Sequence, residues 1–314
     1  MTRARIAVIK LGSLGDVILA MGPMRAIRAH HAGAHITLIT TWPYADLARQ
    51  SGYFDEVWED GRPRSLGGLV ALARRLRRAR FTRVYDLQTS GRSSNYFWLL
   101  WPRPPQWSGI VFGASHRHDT PERTALHTIE RQAQQLAIAG ITDIPLPDLS
   151  FAVADLAPFG LPARYGVLVP GGSAHRPRKR WPVHRYAQLA AAWAQAGLTP
   201  VIVGGTIERP LAEEIRAAVP SARDLTGRTT FAEVAALGRG AQVAVGNDTG
   251  PMHLLAASGC PSLVLFSDES DPALCAPRGK AVKVLRVADL GDLAPDVVTQ
   301  AVTVLTRERA AGPA

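Results

Sequence analysis

Cysteine, lysine and long apolar runs are all scarce in this sequence. Cys260 and Cys275 are the two cysteines among 314 residues, with no CxxC pair and no histidine cluster beside them. A disulfide-stapled scaffold is thereby excluded, and a structural zinc site is disfavoured. No stretch approaches the roughly 20 apolar residues that a membrane span requires; the run Tyr96–Trp101 (YFWLLW) is far too short. The opening MTRARIAVIKLGS lacks an apolar segment long enough for a signal peptide before Gly12. The expectation is a soluble, cytoplasmic protein. Lysine is confined to Lys10, Lys179, Lys280 and Lys283, against 32 arginines. What is present is ample core: 46% of residues are hydrophobic and 20% charged, which excludes disorder and collagen-like repetition. The net charge is +10. Arginine-rich composition fits either a GC-rich genome or the binding of anions, for which a planar guanidinium is suited, and both readings stand at this level.

Short β-branched runs alternate with amphipathic stretches along the chain, the pattern of parallel sheets with right-handed crossovers. Strands are predicted at Ile6–Leu11, His35–Thr41, Asp55–Glu59 and Phe81–Leu87. Helices are predicted after Gly12, over Leu66–Ala79 and over Glu122–Gly140. The segment Asp143–Arg164 carries four prolines and reads as a linker. Beyond it strands are expected at Gly166–Val169, Thr199–Val203, Gln242–Gly246 and Ser262–Phe266. Helices are expected at Val183–Ala196, Arg209–Val219, Phe231–Gly238 and from Pro251. The expectation is two Rossmann-like α/β domains, 1–155 and 156–314, with functional residues in the loops after strands.

Four such loops carry chemistry. Lys10-Leu-Gly-Ser-Leu-Gly-Asp16 follows the first strand; Ser13 or Asp16 could cap the helix, or Asp16 could serve as a general base. It is not a P-loop, because no GK[ST] follows. Gly171-Gly-Ser-Ala-His-Arg-Pro-Arg-Lys-Arg-Trp-Pro182 sets glycines, Ser173 and four cations before a helix, which suits a diphosphate; the alternative is a solvated basic loop. Gly246-Asn-Asp-Thr-Gly-Pro-Met-His253 is good helix-start chemistry in itself, and it also aims the N–H groups of Thr249 and Gly250 at one point, with His253 one turn in. Glu208, in Val203–Glu208, could favour a helix start or accept bonds from ribose hydroxyls.

Taken in order, LGSLGDVILAMGPMRAIR near the start, VYDLQTSGRS at 84–93, GGS…KRWP at 171–182, GGTIE at 204–208, LTGRTTFAEVAAL at 225–237 and GNDTGPMHLLAASGCP at 246–261 resemble glycosyltransferase family 9, the ADP-heptose:lipopolysaccharide heptosyltransferases. The resemblance implies a GT-B fold, two Rossmann-like parallel-sheet domains facing a cleft, the first binding acceptor and the second the nucleotide-sugar donor. It implies inverting transfer of a heptose from ADP-heptose to an anionic glycolipid, without a metal and with no cofactor, the ADP-sugar being a co-substrate. The family's catalytic aspartate falls on Asp16 and its phosphate-binding lysine on Lys179. Donor contacts fall on Gly172, Ser173, Lys179, Glu208, Asp248, Thr249, Gly250 and His253, and acceptor contacts are expected at Ser13, Gln88 and Arg92. Where relatives read F-G-x-T-D-P, this chain has Phe266-Ser-Asp-Glu-Ser-Asp-Pro272, which leaves the sugar open. A transferase using another nucleotide sugar or a non-lipid acceptor, and a catalytically silent binding protein, are the rival readings.

Arginines crowd residues 62–83: Arg62, Arg64, Arg74, Arg75, Arg77, Arg78, Arg80 and Arg83. Peripheral contact with the cytoplasmic face of the inner membrane is the expected use, ahead of a merely solvated face. Nucleic acid is not an expected partner, because no RRM, KH or helix-turn-helix signature is present.

Overall fold

A computed structural model describes residues 3–59, 61–172 and 176–311, with side chains through 307. The chain divides into two units, Met1–Pro147 and Asp148–Ala314. The first unit contains β1 (Arg5–Ile9), α1 (Leu14–Leu19), α2 (Met21–His30), β2 (His35–Ile39), α3 (Trp42–Gln50), β3 (Glu56–Trp58), α4 (Leu66–Ala79), β4 (Arg83–Asp86), α5 (Gly91–Trp98), β5 (Gln106–Gly109), β6 (His116–Arg117) and α6 (Thr128–Ile138). Its strands pair in parallel in the order β3-β2-β1-β4-β5-β6. Ile6–Ile9 are wholly buried at the sheet's centre, as expected of a parallel strand covered on both faces. In α4, Leu72 and Leu76 lie one turn apart and pack with Ile9, Val84 and Phe97, while Ser65 caps the helix by accepting from Gly68 N at 3.1 Å.

The second unit repeats the design with β7 (Tyr165–Val169), α7 (Val183–Gln195), β8 (Thr199–Ile202), α8 (Arg209–Ala218), β9 (Arg223–Asp224), α9 (Phe231–Gly240), β10 (Ala244–Asn247), α10 (Gly250–Ala257), β11 (Ser262–Phe266), α11 (Pro272–Cys275), β12 (Val282–Arg286) and α12 (Pro295–Ala311). Its parallel order is β12-β11-β10-β7-β8-β9. Counted from the first strand of each unit, both sheets have the order 3-2-1-4-5-6, the doubly wound arrangement of dinucleotide-binding folds. Trp181, Tyr186, Leu189 and Leu265 lie in this unit's core. Cys260 and Cys275 are both free thiols.

Two expected helices are broken. The stretch after Gly12 is two helices meeting at Ala20, and Pro23 falls in the first turn of the second, where its missing N–H has no intrahelical duty. The helix expected over Glu122–Gly140 begins only at Thr128. Leu126 is extended (φ −86°, ψ 147°), and His127 then caps α6, its Nδ1 accepting from Ile129 N at 3.2 Å.

Candidate active site

A doubly wound sheet leaves a crevice where the strand order reverses, beyond the carboxyl ends of the strands. In the first unit that point lies between β1 and β4, and in the second between β7 and β10. The loops singled out by their residue types occupy these places.

At the end of β1, Gly12 adopts φ +121°, and a Cβ there would stand 2.9 Å from the Tyr44 hydroxyl, so the turn needs glycine. Ser13 caps α1, and Asp16, in the first turn, reaches back. Its Oδ2 accepts from Ser13 N at 3.2 Å and from Ser13 Oγ at 3.0 Å. The carboxylate is thus held by its own loop while remaining partly exposed. The loop is pinned from β4 as well: Leu11 N donates to Gln88 Oε1 at 2.8 Å. Gln88, expected to touch acceptor, therefore spends its carbonyl on the Asp16 loop. Arg92 lies exposed on α5 and donates to Pro63 O at 3.4 Å.

Beneath the loop is a buried charge cluster that sequence reasoning missed. Lys10 is 4% exposed and its Nζ donates to Leu87 O at 3.2 Å. Asp86, the last residue of β4, is wholly buried and its Oδ1 accepts from Gln88 N at 3.1 Å and Thr89 N at 3.0 Å. Burial pushes the Lys10 ammonium down from its ordinary pKa, while the nearby carboxylates of Asp16 and Asp86 push the other way. Burial raises the Asp86 carboxyl to about 6, against the opposing hydrogen bonds and the Lys10 charge. Gln135 Nε2 closes the cluster by donating to Asp86 O at 3.0 Å and Ser108 O at 3.2 Å.

In the second unit the residues expected to contact donor lie at the ends of β7, β8 and β10. Lys179, in the short turn Pro177–Lys179, places Nζ 2.8 Å from Asp248 Oδ2, with the two side chains 12% and 11% exposed. Ser270 Oγ donates to the same oxygen at 2.8 Å. Ser270 comes from 266–272, the segment whose sequence departs from the expected pattern, so that departure reaches the Lys179–Asp248 pair directly. Thr249 stands at the N-cap of α10 with no side-chain capping bond. Pro251 carries no N–H and Met252 N donates to Thr249 O at 3.1 Å, so the N–H groups of Thr249 and Gly250 are those left without a partner inside the helix. A Cβ on Gly172 would lie 3.8 Å from Thr249 Cγ2, so the two loops abut. Glu208 accepts from Gly205 N at 2.8 Å, and its side chain lies where a Cβ on Gly171 would meet Cγ at 2.6 Å. Gly171 is thus a glycine because a carboxylate side chain fills its flank. His253 is buried one turn into α10. Ser173 lies outside the described residues.

The pin that holds these loops is Asn247, fully buried at the end of β10. Its Nδ2 donates to Pro170 O at 3.0 Å and Gly171 O at 2.9 Å, while its Oδ1 accepts from Trp181 N and the Tyr186 hydroxyl, each at 3.0 Å. One amide thus fastens both ends of the 170–181 loop. Every bonding group is used, as burial demands. Among the described residues no group of three or more His, Cys, Asp and Glu side chains could hold a metal ion.

A lysine beside a helix N-terminus suits an anionic ligand, because ammonium, free N–H groups and helix dipole favour the same charge. Replacing Lys179 by alanine removes a charge-assisted contact worth about 1.5–3 kcal/mol and leaves Asp248 uncompensated. The dissociation constant for ADP, read by calorimetric titration, should rise about 10- to 100-fold. An unchanged constant overturns the expected contact of Lys179 with a diphosphate.

Comparison with known proteins agrees with this picture. The family model for glycosyltransferase family 9 (heptosyltransferase) matches residues 69–302. Lipooligosaccharide heptosyltransferase 2 of Haemophilus influenzae is 31% identical over 123 residues, 38% of this chain and 35% of that protein. Lipopolysaccharide heptosyltransferase 2 of Escherichia coli K12 is 31% identical over 121 residues, 37% of this chain and 34% of that one. These sequence matches span about a third of the length of either relative. Among solved structures, a family 9 glycosyl transferase from Veillonella parvula superposes with a TM-score of 0.82 at 23% identity, covering 97% of both chains. The E. coli ADP-heptose LPS heptosyltransferase II gives 0.82 at 23% identity, covering 98% of this chain and 99% of that one. The fold is the GT-B fold expected from the sequence, and the chain belongs to glycosyltransferase family 9, the heptosyltransferases.

Proposed function

We propose that this protein transfers a heptose from ADP-heptose to a hydroxyl of a lipopolysaccharide core acceptor, with inversion at the anomeric carbon and without a metal ion. The first unit handles acceptor and the second handles donor. The observation that carries the reading is the meeting of Lys179, Asp248 and the first turn of α10 at the strand-order reversal of the second unit. There they can receive the diphosphate of an ADP-sugar. Asp16 takes the proton of the acceptor hydroxyl as that oxygen attacks the anomeric carbon from the face opposite the diphosphate. The carbon–oxygen bond to ADP breaks ahead of full bond formation, so negative charge grows on the leaving diphosphate. Lys179 and the N–H groups of Thr249 and Gly250 meet that charge where it develops, and differential stabilisation of this kind is the larger catalytic term. Glu208 serves the ribose. Ser13 and Arg92 contact acceptor, and Gln88 supports the Asp16 loop beside them. The acceptor's lipid anchor places the work at the cytoplasmic face of the inner membrane.

The test is incubation with ADP-heptose and a heptose-deficient lipopolysaccharide acceptor in the presence of EDTA, read by mass spectrometry. The expected product is heavier by one heptose. No gain with EDTA but a gain with added magnesium overturns the metal-free mechanism; no gain under either condition overturns the assignment of donor or acceptor. Ser270 on Asp248 supports a second reading, another nucleotide sugar as the donor. Titration with ADP, UDP and GDP separates the two, ADP being the expected ligand.

A further inference from the structure

The chain's positive charge is concentrated far more than its composition suggests. Residues 61–105 hold ten arginines and a single carboxylate, Asp86, which accounts for nine of the chain's ten excess charges. Asp86 is wholly buried, so the surface of this segment shows cations alone. Eight of the ten arginines are exposed. Arg75 is the exception on α4, paired with Glu56 at 3.4 Å and lying over the Trp58 ring at 3.9 Å. Arg74, Arg78 and Arg80 have no carboxylate partner among the described residues.

Large apolar side chains stand among these cations. Leu66 and Val70 lie one turn apart on the outer side of α4, 82% and 48% exposed. Trp98 and Trp101, 45% and 58% exposed, lie against each other where α5 ends, ring centroids 5.8 Å apart and tilted by 47°. Arg77 joins the two elements by donating to Leu99 O at 2.8 Å. Along the seam runs a groove of about 540 Å³ lined by Leu76, Arg77, Arg80, Trp101 and Arg103. A second, of about 570 Å³, is lined by Arg64, Leu66, Leu69, Arg92 and Leu99. Leucine and tryptophan left exposed together forgo the burial that a covering surface would give them, and the guanidinium groups around them limit what that surface is.

We infer that the α4–α5 seam of the first unit docks on an anionic lipid bilayer, its arginines among the headgroup phosphates and Leu66, Trp98 and Trp101 at the acyl boundary. Tryptophan is favoured at that depth, where an apolar ring and a polar N–H are both satisfied, and arginine meets phosphate through its fork of donors. The aliphatic side chains favour a bilayer over a nucleic acid: Leu66 and Val70 would gain nothing from a phosphate backbone or from base edges, but gain burial at the acyl boundary. The inference does not depend on which sugar the enzyme moves.

Co-sedimentation with vesicles of phosphatidylglycerol in phosphatidylcholine, and with phosphatidylcholine alone, tests it. The full chain should bind the anionic vesicles, release them as salt rises, and ignore the neutral ones. The double substitution Arg74→Gln/Arg78→Gln should weaken binding roughly thirtyfold, from about one headgroup interaction per arginine. Brominated acyl chains should quench tryptophan fluorescence, and Trp98→Phe/Trp101→Phe should remove most of that quenching, with the thermal midpoint unchanged in both variants. Equal binding to neutral vesicles, an unchanged constant for the double variant, or absent quenching in the wild type overturns the assignment. So does tighter binding to a single-stranded oligonucleotide that the arginine variant abolishes, which would give the face to nucleic acid.

Discussion

Asp16→Ala is expected to lower heptose transfer by about 100- to 10,000-fold, the usual range for loss of a positioned general base. Affinity for ADP should stay near that of the wild type, because Asp16 and the diphosphate loops belong to different units of the chain. Alanine also removes the acceptor of two hydrogen bonds from Ser13, so a fall in rate alone could reflect a displaced loop. Asp16→Asn separates the two causes. Its amide oxygen can still accept from Ser13 N and Oγ, yet it cannot take a proton from a hydroxyl. If Asp16 is the base, the asparagine variant is as slow as the alanine variant while its KM for acceptor and its thermal midpoint stay close to wild type. If Asp16 only shapes the loop, asparagine restores most of the rate. Retention of more than about a tenth of the rate by either variant removes Asp16 from the chemistry, since that is less than a base supplies.

The sequence made some features legible and hid others, for physical reasons that differ. Strand and helix order could be read because a parallel sheet buried on both faces writes continuous apolar runs such as Ile6–Ile9 and Ser262–Phe266, and because α4 shows a single apolar stripe. The placement of Lys179 was foreshadowed by its rarity in an arginine-rich chain and by its position between a strand and a helix. Short elements were not legible: α3, α5, β5 and β6 have few residues and mixed polarity, so no period stands out. The split of α1 from α2 at Ala20 leaves the apolar spacing almost unchanged, which is why a single helix fitted the pattern. Asn247 and Asp86 were hidden in another way. Each is a polar residue at the end of a strand, where a polar residue is ordinary. Only the structure tells that both are wholly buried and that backbone groups from other loops converge on them. Asn247 stood inside the GNDTG motif, but its neighbours Asp248 and Thr249 offered the more obvious chemistry.

Lys10 and Asp86 support the largest expected change in stability. Each is taken out of water, and each favours the charged form of the other against the cost of burial. Removing one partner strands the other's charge, which typically costs about 3–5 kcal/mol. For a unit of this size that corresponds to a fall in thermal midpoint on the order of 10 °C. Lys10→Met and Asp86→Asn should each show it. The double variant Lys10→Met/Asp86→Asn should recover much of the loss, because no unpaired charge is then left to bury, and the coupling in the cycle should exceed about 1 kcal/mol. Simple additivity of the two losses would mean that the groups do not act as a pair. The pH dependence supplies a separate check. The Asp86 carboxyl is raised from 3.8 to about 6 by burial, so the folded chain holds this proton more tightly than the unfolded chain does. The stabilisation from that proton is complete below pH 4 and is lost as the pH rises through 6, a fall of roughly 3 kcal/mol at 1.36 kcal/mol per pKa unit. Subtracting the Asp86→Asn profile from the wild-type profile cancels the other carboxylates and should leave this downward slope between pH 4 and 6. A flat difference would mean that Asp86 is ionised in the folded protein as readily as in the unfolded one, and that Lys10 neutralises it without the cost that burial imposes.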